Sequence, residues 1–308
     1  VLYKVITTSI CVQFKQDIYQ QCTMHKILWF LSVTYFLATS ATETTFEKNG
    51  ITFKKDEDGD YVLSTHEILV LQPGSIADVE DMETLYLIDE DFTDIQPGTF
   101  QNLPNLKKLI ITMNKVPKIK TGIFNCLTNL TRLDLSANRI SHIDSNAFDN
   151  MTSLQNINLS DNRFTSVDIH WFLLTPSLTM INLGYNELTE IPGNIFSNVK
   201  STVPSILLFD GNHIAKVDKD AFKGLKVVST LSLDFNKLKT LNGDFLRGLE
   251  IDVLSLKNNT IECVDEKYFA AVFVANSTDI SDNHWTGTCL TAIETWAKEH
   301  NKVVKCDS

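Results

Sequence analysis

Apolar residues recur along this chain in a frame of 24 positions, L-x-x-L-x-L-x-x-N-x-L-x-x-L-x-x-x-x-F-x-x-L-x-x, as in LTRLDLSANRISHIDSNAFDNMTS from Leu130 to Ser153. The asparagine of the frame falls at Asn114, Asn138, Asn162, Asn186, Asn212, Asn236, Asn259 and Asn283, in steps of 24, 24, 24, 26, 24, 23 and 24. Ten units fit, starting near 58, 82, 106, 130, 154, 178, 204, 228, 251 and 275. A repeat of this length predicts stacked units, none of which buries its apolar side alone. In LDL of Leu133 to Leu135 the leucines point one way from a short strand and Asp134 the other. Stacking such strands predicts a parallel sheet with a dry inner side. The asparagine column lies where the strand turns into the interior, and each amide can bond the backbone of its own and adjoining units. Without that ladder the turn buries unpaired peptide groups. A phenylalanine column (Phe100, Phe124, Phe148, Phe172, Phe196, Phe222, Phe269) fills the gap behind the sheet, with Leu246 standing in for Phe in one unit.

The spacing and the F-x-x-L ending resemble the typical animal leucine-rich repeat, seen in extracellular proteins such as Toll-like receptor ectodomains, Slit-type guidance proteins and secreted insect leucine-rich immune proteins. The resemblance covers roughly residues 58–306. It implies an α/β leucine-rich-repeat solenoid, a horseshoe with a concave parallel β-sheet, a mostly irregular or 3-10 convex side and a helical, cysteine-containing C-terminal cap. The expected division is an upstream segment 1–23 foreign to the native protein, a signal peptide 24–41, an N-terminal hairpin cap 42–57, a solenoid 58–285 and a C-terminal cap 286–308.

A solenoid needs caps at both ends. At the front, His66 and Glu90 occupy the asparagine column, and TTFEKNGITF turns at Asn49-Gly50, a strong hairpin signal. At the back, LTAIETWAKEH places Leu290, Ile293 and Trp296 or Ala297 on one helical side. The cap resembles the family's cysteine flank but lacks its C-x-C pair, since Thr288 precedes Cys289 and only Cys263, Cys289 and Cys306 are at hand. Cys126 lies six units from Cys263, about 28 Å at roughly 4.7 Å per strand, against a Cα limit near ~7 Å. The favoured pair is Cys289 with Cys306, leaving Cys263 free or available for a disulfide-linked dimer; Cys263 with Cys289 is the rival.

The segment from Met24 opens with His25 and Lys26, continues into the apolar run ILWFLSVTYFLATSA and ends in small residues near Ala41, a secretory pattern. No later segment is apolar enough to span a membrane. Sequons at Asn129, Asn150, Asn158, Asn258 and Asn276 suit that route as glycosylation sites. With 43% apolar and 21% charged residues the chain is globular, and a net charge of -11 argues against a nucleic-acid surface. No H-E-x-x-H, zinc-spaced cysteine set, phosphate loop or G-x-S-x-G occurs. The reading is of no enzyme, no cofactor and no metal.

Outward sheet positions answer to partners and not to the core. In three successive units Met180, Asn182 and Tyr185 line up beside Ile206, Leu208 and Gly211, then Thr230, Ser232 and Phe235, with Asp210 and Asp234 at the border. An apolar patch with a polar rim points to a protein ligand. The expected function is a secreted recognition or scaffold protein binding a protein or glycoconjugate, in innate immunity or adhesion. The alternatives are the ectodomain of a truncated Toll-like membrane receptor and a secreted enzyme inhibitor. A non-covalent dimer is left open alongside the disulfide-linked one.

Overall fold

Units of this kind bury their leucines only against the next unit, and the strands accordingly assemble side by side. The computed structural model describes residues 44–48, 50–63, 68–199 and 205–306. Residues 1–23 and 24–41, expected to be an upstream segment and a signal peptide, and His66 lie outside them. A 13-stranded sheet runs in strict chain order. Its strands are β1 (Thr44–Lys48), β2 (Ile51–Lys55), β3 (Tyr61–Leu63), β4 (Thr84–Ile88), β5 (Lys108–Thr112), β6 (Arg132–Asp134) and β7 (Asn156–Asn158). They continue as β8 (Met180–Asn182), β9 (Ser205–Leu208), β10 (Val227–Ser232), β11 (Glu250–Ser255), β12 (Ser277–Asp279) and β13 (Val303–Lys305).

From β3 onward every pairing is parallel, so Leu133, Ile157, Ile181, Leu207, Leu231 and Leu254 register in one inward row. All six are buried. The register slips once, at Ser205/Ile206 against β10, next to the unit whose step is 26 residues.

The asparagines close the turn that follows each strand. Asn186 Nδ2 donates to the carbonyls of Leu183 and Gly184 in its own unit and of Leu159 in the unit before, at 3.0–3.1 Å. Its Oδ1 accepts the Phe164 N–H at 3.1 Å. Asn138, Asn162, Asn212, Asn236, Asn259 and Asn283 repeat the three-carbonyl pattern, and Asn114 at the front reaches Leu87 and Thr112. Behind the sheet the chain is turns, two-residue parallel strands and the 3-10 segments Asp244–Leu246 and Glu266–Tyr268. Phe100, Phe124 and Phe148 stack at 6.1 and 6.3 Å, and Phe172, Phe196 and Phe222 at 6.0 and 5.9 Å. Leu246 is buried at its place in the column, but Phe245, one residue earlier, keeps the ring contact with Phe222 at 6.2 Å.

The ends differ from the repeats. β2 pairs antiparallel with β3 around an Asp56–Asp60 turn, so the front cap reaches into the first repeat strand beyond residue 57. Tyr61 and Lys55 both contact the Asp81 carboxylate, at 2.6 and 2.7 Å, tying that cap to the next unit. A short helix, α1 (Phe269–Val272), precedes the back cap, where α2 (Gly287–Glu299) buries Cys289, Ile293 and Ala297. Leu290 and Trp296 flank that buried line and are partly covered. The cap disulfide joins Cys263 to Cys289, with a Cα–Cα distance of 5.7 Å. The expected Cys289–Cys306 bond is therefore not formed, and Cys263 is not available for a partner chain. Cys289 lies in the first turn of α2 and faces inward toward the preceding unit, while Cys306 follows β13 and packs half-buried on the core.

Candidate ligand-binding face

Three rows of side chains run across the outward side of the sheet. The first passes through Lys108, Arg132, Asn156, Met180, Ile206 and Thr230. It begins cationic and turns apolar at Met180 and Ile206, both half-buried. The second row passes through Ile110, Asp134, Asn158, Asn182, Leu208 and Ser232. Leu208 is only 9% exposed, which corrects its place as an open ligand contact. Strands about 4.8 Å apart press neighbouring side chains of this row together just before the chain turns. Its polar members also bond into the turn that follows in their own unit: Asp134 Oδ1 accepts from Ser136, Asn158 Oδ1 from Ser160 and Asn182 Oδ1 from the Gly184 N–H.

The third row sits on the turn. Met113, Ala137, Asp161, Tyr185, Gly211, Phe235, Asn258 and Asp282 all have left-handed backbone, with φ between 53° and 66°. Asn, Asp and Gly tolerate that region, whereas an aromatic residue there carries a steric cost. Tyr185 and Phe235 occupy it nevertheless and are 40% and 38% exposed. Between them Gly211 is required twice over, by its φ of 66° and because a Cβ would stand 2.7 Å from the Tyr185 ring. The tyrosine ring thus leans over the glycine.

Two carboxylates border the rings. Asp210 Oδ1 accepts the Ser232 hydroxyl and the Asp234 N–H, and Asp234 accepts the Lys257 N–H at 2.8 Å and the Ser255 hydroxyl. These donors are uncharged. Burial pushes the Asp210 carboxyl up to about 6, and burial with the neighbouring Asp210 charge pushes Asp234 up to about 7. Asp279, farther along the same face, shows the contrast. Burial works to raise it, but the Lys305 ammonium at 2.8 Å and two bonds from Ser281 outweigh that and hold it below its ordinary value.

The remaining candidate residues are scattered. Asn129, Asn150, Asn258 and Asn276 are exposed, while Asn158 is half-buried and donates Nδ2 to Asp134 at 3.2 Å. A glycan on Asn158 displaces that bond. Asn258 shares the left-handed row with Phe235, one unit on. A groove of about 450 Å³ opens at the lower sheet edge between Val227, Glu250, Asp252 and Asn276, away from the aromatic pair. Ser145 and His170 both bond Asp168, at 2.6 and 2.7 Å. The serine hydroxyl is thus given to the carboxylate and not to the imidazole, unlike an activated nucleophile. Among the described residues no group of His, Cys, Asp and Glu is placed to hold a metal, and no helix is long and apolar enough to cross a membrane.

Residues 81–203 match the family model of the BspA type leucine-rich repeat region in six copies, and residues 205–261 match a second leucine-rich repeat model. The chain is built of leucine-rich repeats. A similar solved structure, described as the crystal structure of a TLR13–ssRNA13 complex, superposes with a TM-score of 0.58 at 21% identity. The alignment covers 70% of the leucine-rich-repeat chain and 31% of that one, so this chain spans about a third of its length. No curated protein sequence matches. Leucine-rich repeats serve chiefly as binding modules, and the open sheet face described above offers a surface of that kind.

Proposed function

We propose that the chain is a secreted, non-enzymatic recognition protein that holds a protein ligand on the outward face of its sheet around β8 to β10. The observation that carries this reading is the pair Tyr185 and Phe235, exposed on a backbone that disfavours them. Strained backbone of this kind is concentrated at sites that bind. Met180 and Ile206 extend the surface beside them. Secretion is supported by the apolar run after Met24, by four exposed sequons and by the Cys263–Cys289 disulfide, a bond suited to an oxidising compartment. The likeness in fold to a Toll-like receptor structure lends support to a role in innate immunity or adhesion. The TLR13 structure is that of a complex with ssRNA, but here the net charge of -11 and the carboxylates beside the rings favour a protein over a nucleic acid.

Photo-crosslinking tests the reading. A benzophenone side chain replacing Ile206 should give a partner adduct on secreting cells, whereas one replacing Leu173, exposed behind the sheet, should not. Tyr185→Ala with Phe235→Ala should remove the adduct without lowering the melting temperature. Equal adducts from both positions would sink the proposal. A second reading, an ectodomain piece of a membrane receptor, draws on the same likeness. A full-length transcript running on into an apolar span would establish it.

A further inference from the structure

Thr278 is out of place on the dry side of the sheet. Its register neighbours there are Leu254 and Val304, and the row runs back through Leu231, Leu207, Ile181, Ile157 and Leu133. Thr278 is 1% exposed, and its hydroxyl has no hydrogen-bond partner. Burying an unsatisfied hydroxyl costs stability that valine, of the same shape, does not lose. Among the described residues one other buried threonine hydroxyl lacks a partner, that of Thr112, and it stands in a polar row with Ser136 and Ser160. The fold thus gives no reason for a hydroxyl at position 278. The sequence does, because Asn276-Ser277-Thr278 is an N-x-T glycan acceptor. At the other four sequons the hydroxyl is used by the folded chain or faces solvent. Thr131 Oγ1 donates to the Lys107 carbonyl, Thr260 Oγ1 to that of Leu238 and Ser160 Oγ to Asn158 Oδ1, while Thr152 is exposed.

Asn276 itself is exposed and lines the groove of about 450 Å³ at the strand starts. The groove lies where β10 and β11 each run six residues, pairing from Val227 with Glu250. Val227, 38% exposed, and the half-buried Val274 give it an open apolar wall, and Glu250 and Asp252 stand exposed at its rim. Asp252 Oδ1 accepts Asn276 Nδ2 at 3.2 Å. Its volume is that of a small-ligand site.

We infer that Asn276 carries an N-linked glycan and that its first sugar rests in this groove against Val227 and Val274. A lipid-linked oligosaccharide pyrophosphate supplies the glycan. The sugar C1 bonds Nδ2, its bond to the pyrophosphate breaks, the pyrophosphate leaves and Nδ2 gives up one proton. Nδ2 keeps its other hydrogen, which can still be donated to Asp252 and hold the amide at the rim. A pyranose ring offers a C–H face to the two valines and hydroxyls to the carboxylates of Glu250 and Asp252. Covalent attachment makes the seat intramolecular, so weak contacts suffice to hold it. An apolar groove is thereby closed to partners, and the outward sheet face is left as the binding surface. This rests on the secretion part of the reading above.

The test uses the whole chain expressed in animal cells, with peptide mass spectrometry of each sequon. Asn276 should be modified in most chains, and Asn276→Gln and Thr278→Val should each remove that glycan while leaving the others. In the Asn276→Gln background, where no glycan forms, adding Thr278→Val should raise the melting temperature by about 2–4 °C, since the buried hydroxyl then serves nothing. Hydroxyl-radical footprinting reads the seat. Val227 and Val274 should be modified about twofold more in Asn276→Gln than in the wild type, because a seated ring covers most of their open surface. Leu69, exposed in the first repeat, should not change. An unmodified Asn276, a melting temperature that falls with Thr278→Val, or equal footprinting of the two valines overturns the inference. Glycans at other sequons with Asn276 bare leave secretion standing and remove this inference alone. A chain retained in cells with every sequon bare removes both.

Discussion

Asn186 illustrates how much one side chain settles in this fold. It supplies donors to three carbonyls and an acceptor to one N–H, all in the dry turn between two units. Asn186→Ala should cost roughly 3 kcal/mol or more, because several buried peptide groups lose their partners at once. Urea unfolding checks it, and a change below about 1 kcal/mol would mean that the ladder is redundant. The left-handed row makes the opposite prediction. Tyr185→Asn and Phe235→Asn place a tolerant residue where an aromatic is strained, so each should raise stability by about 0.5–1 kcal/mol while weakening ligand binding. If both variants lose stability, the rings pack for the fold and the ligand face lies elsewhere.

The back cap is where an element depends on a covalent tie. Helix α2 offers one buried line, Cys289, Ile293 and Ala297, and its disulfide fastens the helix start to the preceding unit. Cys263→Ala with Cys289→Ala should cost about 3 kcal/mol. The loss should be seen first as faster amide exchange over Gly287–Glu299, ahead of the mid-solenoid strands. Uniform exchange along the chain would instead mean that the solenoid unfolds as one cooperative block.

For the molecule as a whole, the two raised carboxyls set a pH dependence. In the folded chain Asp210 and Asp234 hold protons up to about 6 and about 7, against an ordinary value of 3.8. Over that interval the folded state binds more protons than the unfolded, so stability rises as pH falls. The gain begins near pH 7 and is complete near 3.8, where Asp81, Asp144 and Asp279, all lowered, begin to take stability away. The melting temperature should rise by a few degrees between mildly alkaline and mildly acidic buffer, and the rise should shrink in Asp210→Asn with Asp234→Asn. A flat profile would show that solvent reaches the pair.

The repeat, the inward leucines, the asparagine positions and the stacked phenylalanines were legible in the sequence because each unit meets a near copy of itself. A periodic sequence therefore specifies its own neighbours. Tyr185, Phe235, Met180 and Ile206 were legible as outward positions for the same reason, counted from the inward leucines. What the count did not reveal was the backbone beneath the rings. The left-handed φ belongs to the turn, and only the three-dimensional row shows aromatics standing where Asp161, Asn258 and Asp282 stand in other units. Nor did it reveal that Leu208 is covered, because cover comes from side chains in adjacent strands. The coupling of Asp210 to Asp234 likewise depends on distances between units and on the neutral donors that surround the pair. The disulfide is the clearest case. Three cysteines in the cap left the pairing open in sequence, and the choice of Cys263 for Cys289 was decided by which side of α2 faces the core.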